Sequence, residues 1–437
     1  MLKYKFRLTK FIILFTIMTT SLYVVANNLP KGLGSFRFFW APLTLITFAL
    51  VKPAIYTRKP VSYVVLYGVL FFGLLQFTLW KYMDDWNRNA LLEEFYAIIV
   101  FVAIFQYYRL RNDYKGFAAL GKYSFYFVLI TIFMSHIALF VDPMIIRTSA
   151  STGEFTANQL VFFKRIGAGG YGYMQALVLV VPLIFYYIKN PLQSAFSKWV
   201  WVFFLILIWL LILRANVFAN VLAIGIVSLL AGFLDKIRKY LLLLLTLSGI
   251  LFLIPNDTYG DFIFSIANLF EDNSLMHDKF YDFALFITSS GTDISTGAGG
   301  RADRYPLLFE ALLQSPLFGA ASKESSLYVS VGAHLYWMNK LALLGIIGFS
   351  GFVFMFVKIY KSAVNLFDKQ FSYYYFLSAM SFVLLGLMKA ISGREPFFVM
   401  IIFIPGLYFY NKNAKTSSPK ELKIKNNTPK AEQPTSL

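Results

Sequence analysis

Apolar runs of about 17 to 22 residues recur along this chain, and no other feature constrains its fold as strongly. A run of that length, wound as helix, crosses the ~30 Å hydrocarbon core of a bilayer. In lipid only helices and closed barrels satisfy every backbone amide. A barrel needs short segments of alternating polarity, and the sequence has none. Composition points the same way: 58% of residues are hydrophobic, 14% are charged and mean hydropathy is +0.63, too little charge to coat a soluble fold of 437 residues. The chain reads as an all-α, polytopic integral membrane protein.

About twelve transmembrane helices are expected, at 9–26, 35–51, 61–80, 91–108, 121–141, 168–188, 197–213, 215–233, 240–255, 335–357, 372–388 and 395–410. The run FIILFTIMTTSLYVVA after Lys10 reads as the first span rather than a cleaved signal, since similar runs follow it. The loops then set sidedness. With the N-terminus in the cytoplasm, the cytoplasmic side carries a net charge of +20 and the outer side −2. Both termini are expected inside. Residues 1–410 form one domain with a long outer loop at 256–333, and the polar stretch 411–437 reads as a disordered cytoplasmic tail.

The net charge of +18 does not imply nucleic acid, because the basic residues lie between spans and in the tail, without zinc-finger spacing or an aromatic-basic module. Anionic lipid is the expected partner. Absence of cysteine excludes thiol catalysis and disulfides. No His and carboxylate residues show metal-ligand spacing, and no metal or other cofactor is expected.

Against the positive-inside trend, Arg165, Arg214, Arg301 and Arg394 fall on the outer side at helix or span ends. Singly, each is ordinary headgroup contact; together they suit an anion site. Arg301 follows Gly299-Gly300 and opens a short amphipathic helix, whose free N-terminal amides and guanidinium fit a phosphate. Arg304 lies one turn on. Arg214 ends the run WVFFLILIWLLIL, and Arg165 precedes the Gly-rich turn GAGGYG. Of the three histidines, His136 reads as packed within a span and His277 as a surface residue. His334 precedes a span at the outer surface, where a neutral imidazole suits deprotonation of a hydroxyl nucleophile.

In their order, these segments resemble the O-antigen polymerase and O-antigen ligase superfamily, the Wzy-like and WaaL-like membrane glycosyltransferases. The segments are RIGAGGYGYMQA with Arg165, LRANVFANVLAIG with Arg214, Arg301 with Tyr305 and the Pro316-Leu317-Phe318-Gly319 turn, His334 before a span with GIIG at 345–348, and SGREP with Arg394. Leu213 and Leu335 depart from the family pattern, which has serine and a polar residue there.

The resemblance implies a GT-C-like fold and metal-independent transfer of a glycan from a polyprenyl-diphosphate carrier at the outer face of a bacterial inner membrane. It implies that Arg301 and Arg214 stabilise the leaving diphosphate and that His334 orients or deprotonates the acceptor hydroxyl. Arg165, Arg304, Tyr305, Glu324 and Arg394 would bind substrate, with Glu324 a weaker base candidate. Donor and acceptor would be lipid-linked glycans, and a chain-length regulator is a further implied partner. Only about 14 residues separate Gly319 from His334, short for a ligase, so a polymerase is preferred. A ligase acting on lipid A-core and a transporter of an anionic lipid-linked substrate are the alternatives.

Overall fold

The computed structural model describes residues 2–30, 32–70, 85–148, 156–215, 217–233, 255–271, 274–289, 304–320, 335–391 and 393–416, and among these no β-strand is formed. In chain order the α-helices of more than one turn are α1 (Leu2–Ser21), α2 (Ala41–Val51), α3 (Val61–Gly68), α4 (Asp85–Leu110), α5 (Tyr114–Val141), α6 (Ala157–Ile166), α7 (Tyr171–Lys189) and α8 (Lys198–Arg214). They continue with α9 (Phe218–Phe233), α10 (Asn256–Asn268), α11 (Ser274–Thr288), α12 (Arg304–Gln314), α13 (Tyr336–Val364), α14 (Lys369–Met388) and α15 (Ile404–Thr416).

Among the described residues, five helices are long and apolar enough to cross a membrane: Leu91–Leu110 within α4, α5, Asn158–Lys189 through α6 and α7, α13 and α14. This overturns the expected twelve, and the reasons are local. The 35–51 run makes one short helical stretch, Phe36–Val51, a five-residue π-helical turn, Phe36–Trp40, leading directly into the 11-residue α2. The 395–410 run splits into the turn Glu395–Phe398, a second π-helical turn Val399–Phe403, and α15. Helices α8 and α9 have 17 and 16 residues, about 24–26 Å at ~1.5 Å per residue, which puts them at the short limit for crossing a ~30 Å core. α1 stops at Ser21, where Leu22 leaves helical geometry, and α3 continues as π-helix through Val69 and Leu70, the last described residues of the third run. Residues 240–254 of the expected 240–255 span and residues 71–80 of the third lie outside the described residues.

Side-chain bonds between helices define two ends. At one, Lys10 Nζ lies 2.8 Å from Asp113 Oδ2, Arg109 donates to Ser362 Oγ at 2.6 Å, and Lys189 donates to the Ala231 carbonyl at 3.0 Å. This is the lysine end. At the far end Arg394 donates to the Thr19 carbonyl at 2.9 Å, Gln175 to the Ala390 carbonyl at 2.6 Å, and the Tyr305 hydroxyl to the Leu387 carbonyl at 2.5 Å.

Lipid tails are as apolar as leucine, so helices in a membrane associate through close packing and interhelical hydrogen bonds. Both are present. A Cβ on Gly121 of α5 would lie 2.2 Å from the Gly406 carbonyl carbon of α15, which only glycine permits. The Thr16 and Thr44 hydroxyls join α1 to α2 at 2.7 Å, and Thr131 donates to the Ser21 carbonyl at 2.7 Å.

Asp113 ties the lysine end together. It caps α5 by accepting the Gly116 N–H at 2.8 Å while pairing with Lys10 of α1. Partial burial alone would raise its carboxyl, but the Lys10 ammonium, the Gly116 N–H and the nearby Arg111 charge outweigh it and hold the carboxyl below its usual range. A carboxyl depressed in the folded state stabilises the fold above its ordinary pKa and loses that contribution as pH falls through the depressed value. Asp113→Ala is therefore expected to cost about 1–2 kcal/mol at neutral pH, seen as a lower thermal midpoint in detergent. The gap to wild type should begin to narrow below about pH 4 and close as pH falls through the depressed value, and a gap that does not narrow on acidification would contradict the assignment.

Candidate functional site

The far end is organised by α4, where Glu93 and Glu94 stand side by side. Successive helical residues point about 100° apart, so the two carboxylates serve different neighbours. Glu93 Oε1 lies 3.8 Å from Arg394 Nη1. Glu94, 9% exposed, accepts hydrogen bonds from the Tyr336 hydroxyl and the Lys340 ammonium of α13, one to each carboxylate oxygen. Lys340 is itself 7% exposed, and its ammonium lies 5.2 Å from the Tyr336 ring and 5.5 Å from Phe352. Tyr67 and Phe95 complete the surround. A charge pair this buried persists only with its hydrogen bonds met, and here the carboxylate has a donor on each oxygen.

α13 is two helical pieces. Gly345 adopts φ 64 and ψ −179, which breaks the helix and leaves the next N–H groups without their usual carbonyls. The 316–319 turn after α12 supplies replacements: Ile346 N–H donates to the Pro316 carbonyl at 2.9 Å and Ile347 N–H to the Leu317 carbonyl at 3.2 Å. Gly319, at φ 77, is the reciprocal partner. A Cβ there would lie 2.3 Å from the Leu343 carbonyl oxygen, and one on Gly345 would lie 2.4 Å from that of Leu317. Leu308 of α12, Leu343 and Leu344 of α13 and Leu91 of α4 form a small second core beside this crossing.

The arginines singled out in the sequence divide into two kinds. Arg394 is 15% exposed on its side chain and engaged: it donates to Thr19, lies near Glu93, and its guanidinium carbon is 4.8 Å from the Phe36 ring. Beside it Glu395 is buried and accepts from the Tyr23 hydroxyl. Arg394 thus pins α1, the Phe36–Trp40 turn and α4 to one another. Arg165 and Arg214 are exposed, at the last turns of α6 and α8. The Arg165 carbonyl accepts from Asn28, and Gly167 at φ 73 caps α6 against the Val24 backbone. Arg304 opens α12 and is half-buried, with Tyr305 anchored to Leu387. Arg301, Glu324 and His334 lie outside the described residues.

Of the other histidines, His136 Nε2 lies 3.0 Å from the Leu207 carbonyl of α8, a packed role between helices. His277 lies against Tyr281 and Asp278 on α11, which packs with α10 and meets Phe218 of α9 through Phe280 and Phe283. Among the described residues no group of three His, Asp or Glu side chains could hold a metal ion.

Beneath the far end, between α13 and α14, lies an apolar cavity of about 390 Å³ lined by Trp337, Phe349, Phe356, Phe382, Leu387 and Met400 among others. That volume falls within the range of small-molecule sites, with almost no polar lining. Leu387 belongs both to this lining and to the Tyr305 hydrogen bond, so the cavity adjoins the start of α12.

Compared with known proteins, the chain matches no family model and no curated protein sequence.

Sequence reading passed over Glu93, Glu94, Tyr336 and Lys340. The signal was present: an acidic pair opens one apolar run, and a lysine sits inside another, in MNKLALLGIIG.

The Gly319–Gly345 crossing has a direct test. Gly345→Ala and Gly319→Ala each add a side chain at positive φ against a carbonyl, and each is expected to cost at least about 2 kcal/mol. Gly170→Ala, where a Cβ would meet nothing within 4 Å, should be far milder. Equal thermal midpoints for all three would show that the crossing contributes nothing.

Proposed function

We propose that this chain is a membrane glycosyltransferase that polymerises polyprenyl-diphosphate-linked oligosaccharide units at the outer face of a bacterial inner membrane. In this reading the far end faces outward and both termini are cytoplasmic. What supports it is that Arg165, Arg214 and Arg304, with no acid paired to them among the described residues, stand at helix ends at the same end of the bundle, where an apolar cavity adjoins the start of α12. An anionic head on a long hydrocarbon tail is the ligand such an arrangement suits.

The reaction follows from charge. The acceptor hydroxyl oxygen attacks the anomeric carbon, and the anomeric bond to the diphosphate oxygen breaks with inversion. The electron pair leaves on the diphosphate, where Arg301 and Arg214, helped by Arg165 and Arg304, meet the growing negative charge. The hydroxyl proton passes to His334, with Glu324 the second candidate base. Arg394 is held by Thr19 and Glu93 and acts by bracing the end of the bundle. Tyr305, whose hydroxyl donates to the Leu387 carbonyl, orders the start of α12 beside the substrate.

A transporter of the same anionic lipid is the second reading, favoured by one observation: Glu94 and Lys340 are charges inside apolar helices. Lys340 sits about one turn inside α13 and Glu94 about one turn inside the apolar segment Leu91–Leu110, and they neutralise each other, whereas a carrier site belongs near the bilayer midplane.

Purified protein supplied with polyprenyl-diphosphate-linked repeat units should build a ladder of products on a gel without any lipid A-core. Arg301→Ala, Arg214→Ala and His334→Ala should each lower turnover at least about a hundredfold. Transfer only when core is present would make the protein a ligase. Movement of the lipid between leaflets without transfer would establish the transporter.

A further inference from the structure

The strongest feature that this reaction leaves unused is the buried contact of Glu94 with Tyr336 and Lys340. The inference drawn from it rests on the glycosyltransferase reading. Tyr336 and Lys340 are four residues apart and occupy successive turns on one face of α13. Holding one carboxylate from two turns fixes both the height and the rotation of the 336–344 piece against α4. A single contact would fix only one of these.

That piece is also the mount for α12. The 316–319 turn is bonded to Ile346 and Ile347, and Leu308 packs with Leu343 and Leu344. Arg304 is the first residue of α12 and lies four positions before Leu308, about one turn away. Leu335, the first described residue of this segment, is buried at φ 64, a conformation that a leucine holds only when its surroundings impose it. The whole unit therefore takes its seat from Glu94.

We propose that Glu94 is a positioning residue: by gripping Tyr336 and Lys340 it seats the α12–α13 unit, and with it Arg304, at the point where the diphosphate of the lipid-linked substrate is held. Stability alone does not account for the contact. Replacing a buried ion pair by apolar side chains of similar volume is commonly neutral or stabilising, whereas fixing register is the best-attested use of such pairs. The adjacent Gly345 break makes register a live variable here, because a helix interrupted at that point no longer transmits orientation from its longer half.

The test uses the full chain and its lack of cysteine. The variant Glu94→Leu/Tyr336→Phe/Lys340→Met removes the contact without leaving an unpaired charge, and Glu94→Gln serves as a second, near-isosteric probe. Spin labels at Asn27→Cys and Glu310→Cys, both exposed, report the distance from α12 to the neighbouring corner of the far end. The expected result is a folded protein with a thermal midpoint near wild type and a broadened or displaced distance distribution. Turnover of lipid-linked repeat units should fall roughly ten- to a hundredfold in kcat, with donor KM within about threefold. Wild-type kcat in either folded variant, or an unchanged distance distribution, overturns the proposal. If wild-type protein transfers no glycan at all, the glycosyltransferase reading falls by itself, and the distance measurement still decides whether Glu94 seats α12.

Discussion

Burying a carboxylate in an apolar bundle costs several kcal/mol unless its charge and both its oxygens are met, and among the described residues it is α13 that meets that condition for Glu94. The far end of the molecule depends on this contact. Its neighbour Glu93 turns the other way to Arg394, so a single turn of α4 holds one element on each side. Arg394 in turn reaches Thr19 and the Phe36 ring, which carries the same network to α1. Glu93 and Glu94 are thus spent on cations inside the protein, and Arg165 and Arg214, at helix ends, have no acid paired to them among the described residues.

Backbone geometry follows the same economy. A broken helix in a membrane must find partners for the amides it frees, and lipid offers none. At Gly345 the partners are the carbonyls of Pro316 and Leu317, and the approach is so close that both crossing residues are glycines at positive φ. Two segments distant in sequence are thereby fused into one unit. The π-helical turns at Phe36–Trp40 and Val399–Phe403 are further departures from regular helix, each at the end of a run that looked continuous.

Apolar length was legible in the sequence; continuity was not. α5 and α14 are single helices where apolar runs stood, because nothing in them competes with the i to i−4 ladder. The run at 197–213 likewise makes one helix of its own length, 17 residues, whereas that at 215–233 makes a 16-residue helix, because hydropathy reports what a segment tolerates around it and not where its helix begins and ends. The break inside α13 was invisible for a related reason. A glycine within an apolar helix is usually only a packing residue, and its positive φ here is imposed by a turn 26 residues earlier, at Gly319.

The candidate site was legible in part, and the split has a physical cause. Arg165, Arg214 and Arg394 all stood at the ends of apolar runs and carried equal weight in sequence. What separates them is the nearest carboxylate. Glu93 reaches Arg394 because α4 brings it there, whereas among the described residues no acid pairs with Arg165 or Arg214. Their charge is exposed beside an apolar bundle, where an anion meets less competition from water than it would in bulk solution. The pairing of Arg394 and the exposure of Arg165 and Arg214 are then two results of one arrangement: α4 supplies its acids inward, and the rim of the far end keeps its positive charge.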